Sequence, residues 1–257
     1  PYPGYEGEGF SMPCRNVVPK PMQKPHPPMW IACTNRGTIE VAARNGLGAL
    51  AFSFVDPEEA KTWADTYYGI IKSDECVPLG HTVNANLAMV AGFSLHEDGD
   101  EAMRRGIDGF QFFRYAVNAL VANETRPGRS NLWGEYEELR GPDLPTIGAP
   151  GIGTPDDYTA LVKEFEAAGV DQVIFLQQGG KNEHKHICES LELFGEKVLP
   201  NFEPFRDERV AQKNAELAPY IEAALDRKQW MEPLADDEIP IVPPSQARES
   251  FYVKTDT

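Results

Sequence analysis

The sequence predicts an α/β protein built on a parallel sheet, and three observations carry that reading. Short, continuously apolar runs alternate with amphipathic segments of helical period, the pattern of strands buried on both faces. Each turn from one to the next holds Gly, Pro or an acidic helix start. No helical stretch is long and apolar enough to cross a membrane. Four such βα units are present, and the pattern alone leaves two architectures open: a small open sheet, or half of an eight-stranded barrel.

The elements follow in order. Residues 1–28 are extended and Pro-rich, with Pro1, Pro3, Pro13, Pro19, Pro21, Pro25, Pro27 and Pro28, so neither a helix nor a central strand runs through them. Tyr2, Tyr5, Phe10, Val17 and Val18 give this lead-in apolar anchors. Met29-Trp30-Ile31-Ala32-Cys33 reads as the first buried strand, and Thr34-Asn35-Arg36-Gly37 as a turn. A helix over 38–45 follows, with Gly46 where a left-handed cap residue belongs. Residues 47–55 (LGALAFSFV) form the second strand. Asp56-Pro57-Glu58-Glu59 combines an N-cap acid, Pro at the first helical position and acid in the first turn. Residues 85–95 form the third strand, and the acidic run 97–101 opens a helix carrying Met103, Ile107, Phe110 and Phe113. Residues 124–153 break the alternation with glycines, prolines, three arginines and Trp133, a length that marks either a functional or a disordered loop. Thr154-Pro155-Asp156-Asp157 is a capping box, Gly169 ends its helix, and 171–178 (DQVIFLQQ) is the fourth strand. A helix runs from Asn182 to Pro200, another spans about 206–227, and the tail from Asp236 is acidic and Pro-rich.

Composition narrows the function. With 41% hydrophobic and 25% charged residues the chain has ordinary globular composition. Its net charge of -16, from 24 Lys+Arg against 40 Asp+Glu, repels phosphate backbones and anionic lipid, and no basic patch offsets it. Neither nucleic acid nor a membrane is expected as partner. Cys14, Cys33, Cys76 and Cys188 form no C-x-x-C, which points to a reduced, cytoplasmic setting.

Several stretches carry a family resemblance. They are Val17-Val18-Pro19-Lys20-Pro21-Met22-Gln23-Lys24-Pro25-His26-Pro27-Pro28-Met29-Trp30-Ile31-Ala32, then Gly153-Thr154-Pro155-Asp156, then Ala168-Gly169-Val170-Asp171-Gln172-Val173-Ile174-Phe175. The last is Glu189-Ser190-Leu191-Glu192-Leu193-Phe194 with Val198-Leu199-Pro200. Their order and spacing, from about residue 5 to about residue 203, resemble the C-terminal portion of the bacterial luciferase-like flavin-dependent monooxygenases. The resemblance implies a TIM-type (β/α)8 barrel, of which this chain holds only the second half, strands five to eight, as a fragment or incomplete gene. It divides the chain into the lead-in 1–28, the half-barrel 29–203 with a lid insertion at about 124–153, and a C-terminal helix and tail over 204–257. It implies reduced FMN, supplied by a flavin reductase, and O₂ used to oxygenate a small organic molecule. The same fold also hosts oxidoreductases dependent on the deazaflavin F420, and a non-catalytic barrel half is the third reading. Members are often homo-oligomers. No catalytic residue is assigned, since several pocket residues of the family belong to the first half, and this fragment alone is expected to be inactive.

Candidate site residues follow from position and chemistry. Thr34, Asn35, Arg36, Gly37 and Thr38 lie between a strand's C-terminal end and a helix N-terminus, where free N–H groups, hydroxyls and a guanidinium suit a flavin phosphate. A plain N-cap turn with a solvated Arg is the blander account. Arg126, Arg129, Trp133 and Arg140 lie in the insertion, where a closing lid would bring arginines to an anion; solvated loop arginines are the alternative. Gln177 and Gln178 end the last strand at the mouth, and alternation would point one of them inward. No metal is expected. His184 and His186 face opposite sides of a helix, and His96 with Glu97, Asp98 and Asp100 reads as an acidic helix start. Cys33 reads as buried and structural.

Overall fold

The computed structural model describes residues 2–51, 55–122, 128–142 and 149–240. By contacts the chain divides into a smaller unit, Pro1–Pro27 with Lys228–Thr257, and a larger one, Pro28–Arg227. In the smaller unit, β1 (Tyr5–Glu6) and β2 (Ser11–Met12) form an antiparallel hairpin, with the Tyr5 and Phe10 rings 4.9 Å apart. The extended lead-in therefore contains a local strand pair that its prolines tolerate because they lie outside it.

The larger unit carries four parallel strands in the order β3 (Trp30–Cys33), β4 (Gly48–Ala51), β5 (Leu87–Gly92), β8 (Gln172–Leu176). The register Cys33↔Ala51↔Met89↔Val173 sets one face and Ala32↔Leu50↔Ala88↔Gln172 the other. The first face carries the main core. Cys33, Ala51 and Met89 pack there with Ile39 and Ala43 of α1 (Arg36–Arg44) and Trp63, Ala64 and Tyr67 of α2 (Pro57–Ile71). Small strand residues let the helices approach closely. On the second face, exposure lies at the outer strands: Trp30 is 36% and Ile174 40% exposed, while Ala88 and Val90 between them are buried.

The helix ends form where the local chemistry predicts. Asp56 caps α2 by accepting the Glu59 N–H at 2.8 Å, with Pro57 at the first position. Thr154 and Asp157 make a reciprocal capping box on α5 (Pro155–Ala167), and those two bonds from Thr154 hold the Asp157 carboxyl below the usual range. α1 and α5 end alike. Leu47 N–H donates to Ala42 O at 2.9 Å and Gly46 N–H to Ala43 O at 3.1 Å. Val170 N–H and Gly169 N–H repeat this on Phe165 O and Glu166 O, with φ of 63° at Gly46 and 87° at Gly169.

Four expectations are corrected in detail. The third strand is not continuous over 85–95: β5 stops at Gly92, and β6 (Ser94–Leu95) pairs instead with β7 (Ile152–Gly153). The insertion is not a structureless loop, since α4 (Leu132–Arg140) lies within it, after the long α3 (Gly99–Ala122). The helix after Asn182 is α6 (His184–Leu193), which continues as a π turn at Phe194–Val198 and a short 3-10 turn at Leu199–Asn201 that contains Pro200 instead of stopping at it. The last strand ends at Leu176, two residues early. α7 (Arg206–Asp226) closes the larger unit, placing Leu217 and Ala224 in the main core.

Candidate functional site

All four strands of the sheet are parallel, so their C-terminal ends share one end of the unit. The turn after β3 and the loop after β8 both open there, but on opposite outer strands. Three strand spacings separate them, roughly 14 Å. The structure does not bring the two groups of candidate residues into contact.

In the first group, Asn35 is the N-cap of α1 with φ −157°. Its Oδ1 accepts the Thr38 N–H at 3.1 Å and the Thr38 hydroxyl at 3.3 Å, so the Thr38 donors are spent on the cap. The amides of Arg36 and Gly37 sit in the first turn, where no intrahelical acceptor exists. Arg36 is half exposed, its Nε 3.6 Å from Glu59 Oε1 on α2. An exposed pair of that kind is worth about 0–1 kcal/mol and yields readily to a better acceptor. Thr34 is exposed, and a side chain at Gly37 would meet only Asn35. The turn therefore fits a phosphate through two amides, the Thr34 hydroxyl and Arg36, not through all five residues. Cys33 beneath it is fully buried, and burial pushes its thiol up to about 11, so it is no nucleophile.

In the second group, Gln177 and Gln178 lie beyond the end of β8, so strand alternation does not orient either side chain. Gln177 is partly buried and Gln178 exposed. Their loop is shaped by Asn182, whose amide donates to Gln177 O at 3.0 Å and whose N–H donates to Gly179 O at 3.2 Å.

Of the insertion residues, Arg126 lies outside the described residues and Arg129 is in an exposed turn. Arg140 is not poised over the mouth: its Nε is 3.0 Å from Asp108 Oδ1 on α3, with only 16% of the side chain exposed. Trp133 is partly buried between Phe112 (4.8 Å between rings) and Tyr136 (5.7 Å), and Lys181 Nζ lies 4.3 Å over its face. Its Nε1 is buried with no hydrogen-bond partner among the described residues. Tyr136 donates to Asp108 Oδ1 at 2.8 Å, and burial together with that carboxylate pushes its phenol upward. Asp108, Glu137 and Lys181 were not foreseen from sequence. Gly106 and Gly109, glycines inside a helix, were the available signal for a close backbone approach.

The acidic start at 97–101 is a helix cap: Asp98 Oδ1 accepts the Asp100 N–H at 2.9 Å, and His96 Nδ1 accepts the Asp98 N–H at 3.0 Å. His184 lies 3.5 Å from Cys188 and His186 3.9 Å from Glu183, on separate sides. Among the described residues no group of three or more ligating side chains is placed to hold a metal, and no helix is long and apolar enough to cross a membrane. A cavity of about 920 Å³ runs along β8 from Asp171 to Phe175 and is lined also by Phe165, Phe194 and Phe202.

The sequence profile of the luciferase-like monooxygenases matches residues 2–172, more than half of the chain. The chain belongs to the luciferase-like monooxygenase family. Comparison with curated proteins gives no match. Among solved structures, the luciferase-like chain is similar to the monooxygenase RslO1 from Streptomyces bottropensis, at 23% identity and TM-score 0.52, covering 77% of this chain and 55% of that one. It is also similar to the coenzyme F420 dependent tetrahydromethanopterin reductase from Methanopyrus kandleri, at 20% identity and TM-score 0.51, covering 77% and 57%. An F420-dependent secondary alcohol dehydrogenase is similar at 10% identity and TM-score 0.51, covering 76% and 54%. These likenesses show the fold: the four βα units are of the (β/α)8 barrel type, and the luciferase-like chain spans about half the length of the structures it matches.

Proposed function

We propose that this chain is the flavin-binding part of a luciferase-like monooxygenase that oxygenates a small organic molecule with O₂. Family membership over residues 2–172 carries the reading. The turn after β3 supports it locally, as a cradle of two amides, a hydroxyl and a displaceable guanidinium at the C-terminal end of a strand, where barrel sites form. FMN, reduced elsewhere by a flavin reductase, would supply the electrons for O₂ chemistry when bound. The chain's own residues do simpler things. Arg36 would exchange Glu59 for a phosphate oxygen, the Arg36 and Gly37 amides would donate to the phosphate, and the dipole of α1 would favour its charge. At the other outer strand, the loop of Gln177 and Gln178 would present amides to a ring or substrate edge, with Trp133 of α4 packed on Gly180 beside them. A cytoplasmic setting belongs to the proposal and accords with four free cysteines. So does a homo-oligomer, for β3 and β8 each leave one backbone edge without a strand among the described residues. We propose further that the 257-residue chain alone does not turn over substrate, because four strands enclose the mouth from one side only.

The test is a fluorescence titration of the chain with FMN and with F420. Saturable FMN binding is expected, weakened about ten-fold in Arg36→Ala, the scale of one lost charged phosphate contact. Asn35→Ala should weaken it less while lowering thermal stability through the lost cap. Saturable F420 binding with no FMN binding moves the chain to the deazaflavin oxidoreductases; binding of neither overturns the flavin reading.

A further inference from the structure

The loop that carries Gln177 and Gln178 is held from above by one face of α4. Trp133 and Glu137 are four residues apart and so project from the same side of the helix. Between them they take Lys181: its Nζ lies 4.3 Å from the centre of the Trp133 ring and 3.5 Å from Glu137 Oε1. The backbone beneath is bare. Gly180 has φ +55°, and a side chain there would lie 2.6 Å from the Trp133 ring. A side chain at Gly109 of α3 would run into Gly179 O and Asn182, so α3 and the loop meet backbone to backbone. α4 is in turn mounted on α3 through Asp108, which takes Arg140 at 3.0 Å and the Tyr136 hydroxyl at 2.8 Å.

The two attachments of α4 differ in kind. The mount on Asp108 is largely shielded, with Arg140 16% and Asp108 25% exposed. The hold on Lys181 is exposed, 68% for Lys181 and 45% for Glu137, the class of contact that forms and breaks at little cost. Trp133 Nε1, buried with no hydrogen-bond partner among the described residues, also opposes the seated arrangement, because it gains a hydrogen bond to water when the ring lifts.

We propose that Trp133, Glu137 and Lys181 form a latch whose closure positions the Gln177–Asn182 loop at the mouth of the sheet, and whose opening releases it. They are positioning residues: the latch acts on the mouth through the backbone of Gly179 and Gly180. Its importance for activity rests on the reading of this end of the sheet as the ligand end, but its existence is a property of the chain without ligand.

The experiment is backbone hydrogen exchange in the flavin-free chain, read on the segment 177–182 and, as an internal reference, on β5. Lys181→Glu sets two acids against each other and removes the cation from the indole face. It should speed exchange in the loop by about five- to ten-fold and leave β5 unchanged. Glu137→Lys should act in the same direction. The pair Glu137→Lys with Lys181→Glu should recover part of the protection, since the ion pair re-forms reversed while the cation is not returned from residue 181 to the Trp133 face. Unchanged exchange in Lys181→Glu overturns the latch, and so does a double variant no better protected than the two single ones. No flavin enters the measurement, so a failed latch and a failed flavin reading are told apart.

Discussion

Asp171→Ala should cost the chain about 3 kcal/mol of stability, between the value for a fully buried ion pair broken on one side and that for an exposed one. The carboxylate stands just before β8 and binds three other elements at once. Its Oδ1 is 2.6 Å from Lys213 Nζ on α7, and its Oδ2 takes the Leu87 N–H of β5 at 2.7 Å and the Tyr68 hydroxyl of α2. Asp171 is 15% and Lys213 25% exposed, so solvent screens the pair only in part. Burial and the Asp171 charge push the Tyr68 phenol upward, which favours its donating form. Truncation leaves the Leu87 N–H without its acceptor and removes the carboxylate partner of the Lys213 charge. Lys213 keeps Ala85 O at 2.9 Å and Asn86 Oδ1 at 2.7 Å, which limits the loss. Asp171→Asn retains an acceptor for Leu87 and should fall between wild type and Ala. Urea unfolding midpoints of the three proteins decide the matter. A loss below about 1 kcal/mol in Asp171→Ala would mean that the network is no more than a surface ion pair. The cluster lies at the N-terminal ends of β5 and β8, the end of a barrel where such residues serve stability and not chemistry.

That network marks the limit of what the sequence makes legible. Everything local is readable: Asp56-Pro57, Thr154-Pro155-Asp156-Asp157, Gly46 and Gly169 announce their caps because each cap is satisfied within six residues. The parallel sheet is readable because both faces of β5 are apolar. The phosphate-type turn is readable as a turn, yet the sequence does not show that Asn35 spends the Thr38 donors, since a cap and an anion site use the same residue types. Contacts between distant segments are not readable at all. Asp171 stands 42 residues from Lys213, and nothing in either neighbourhood announces the other. Arg140 looks like a free lid arginine until Asp108 is placed beside it. α4 is obscured by the Gly and Pro on both sides, which mark a break in the alternation but not that nine helical residues lie inside it.

Gly151→Ala should be the most damaging single-methyl change in the returning arm of the insertion. Gly151 has φ +83°, in the left-handed region that costs a non-glycine residue roughly 1–2 kcal/mol. A Cβ there would also be built onto the Gly92 carbonyl oxygen and stand 2.9 Å from the Tyr158 hydroxyl. Neither neighbour can give way cheaply. The Gly92 carbonyl ends β5 and already accepts the Tyr158 hydroxyl, and Tyr158 is fully buried in the aromatic cluster of Phe93, Phe175 and Phe194. Gly151 itself must move, and it carries the Ser94 N–H on its carbonyl at 3.0 Å, next to the two-residue pairing of β6 with β7. So short a ladder has no reserve. Overpacking of this kind adds about 1–3 kcal/mol, against a gain of about 0.4–1 from the less flexible unfolded chain, for a net loss near 3 kcal/mol. Gly141→Ala is the control. Its φ is +76°, close to that of Gly151, but a Cβ there meets nothing within 4 Å among the described residues. With ψ −165° it lies in the region open essentially to glycine alone, so it should show the conformational cost alone, about 1–3 kcal/mol. If the two substitutions shift the urea midpoint equally, the contact with Gly92 does not hold the arm; if Gly151→Ala alone is severe, the strand end of β5 is what anchors the insertion that α4 belongs to.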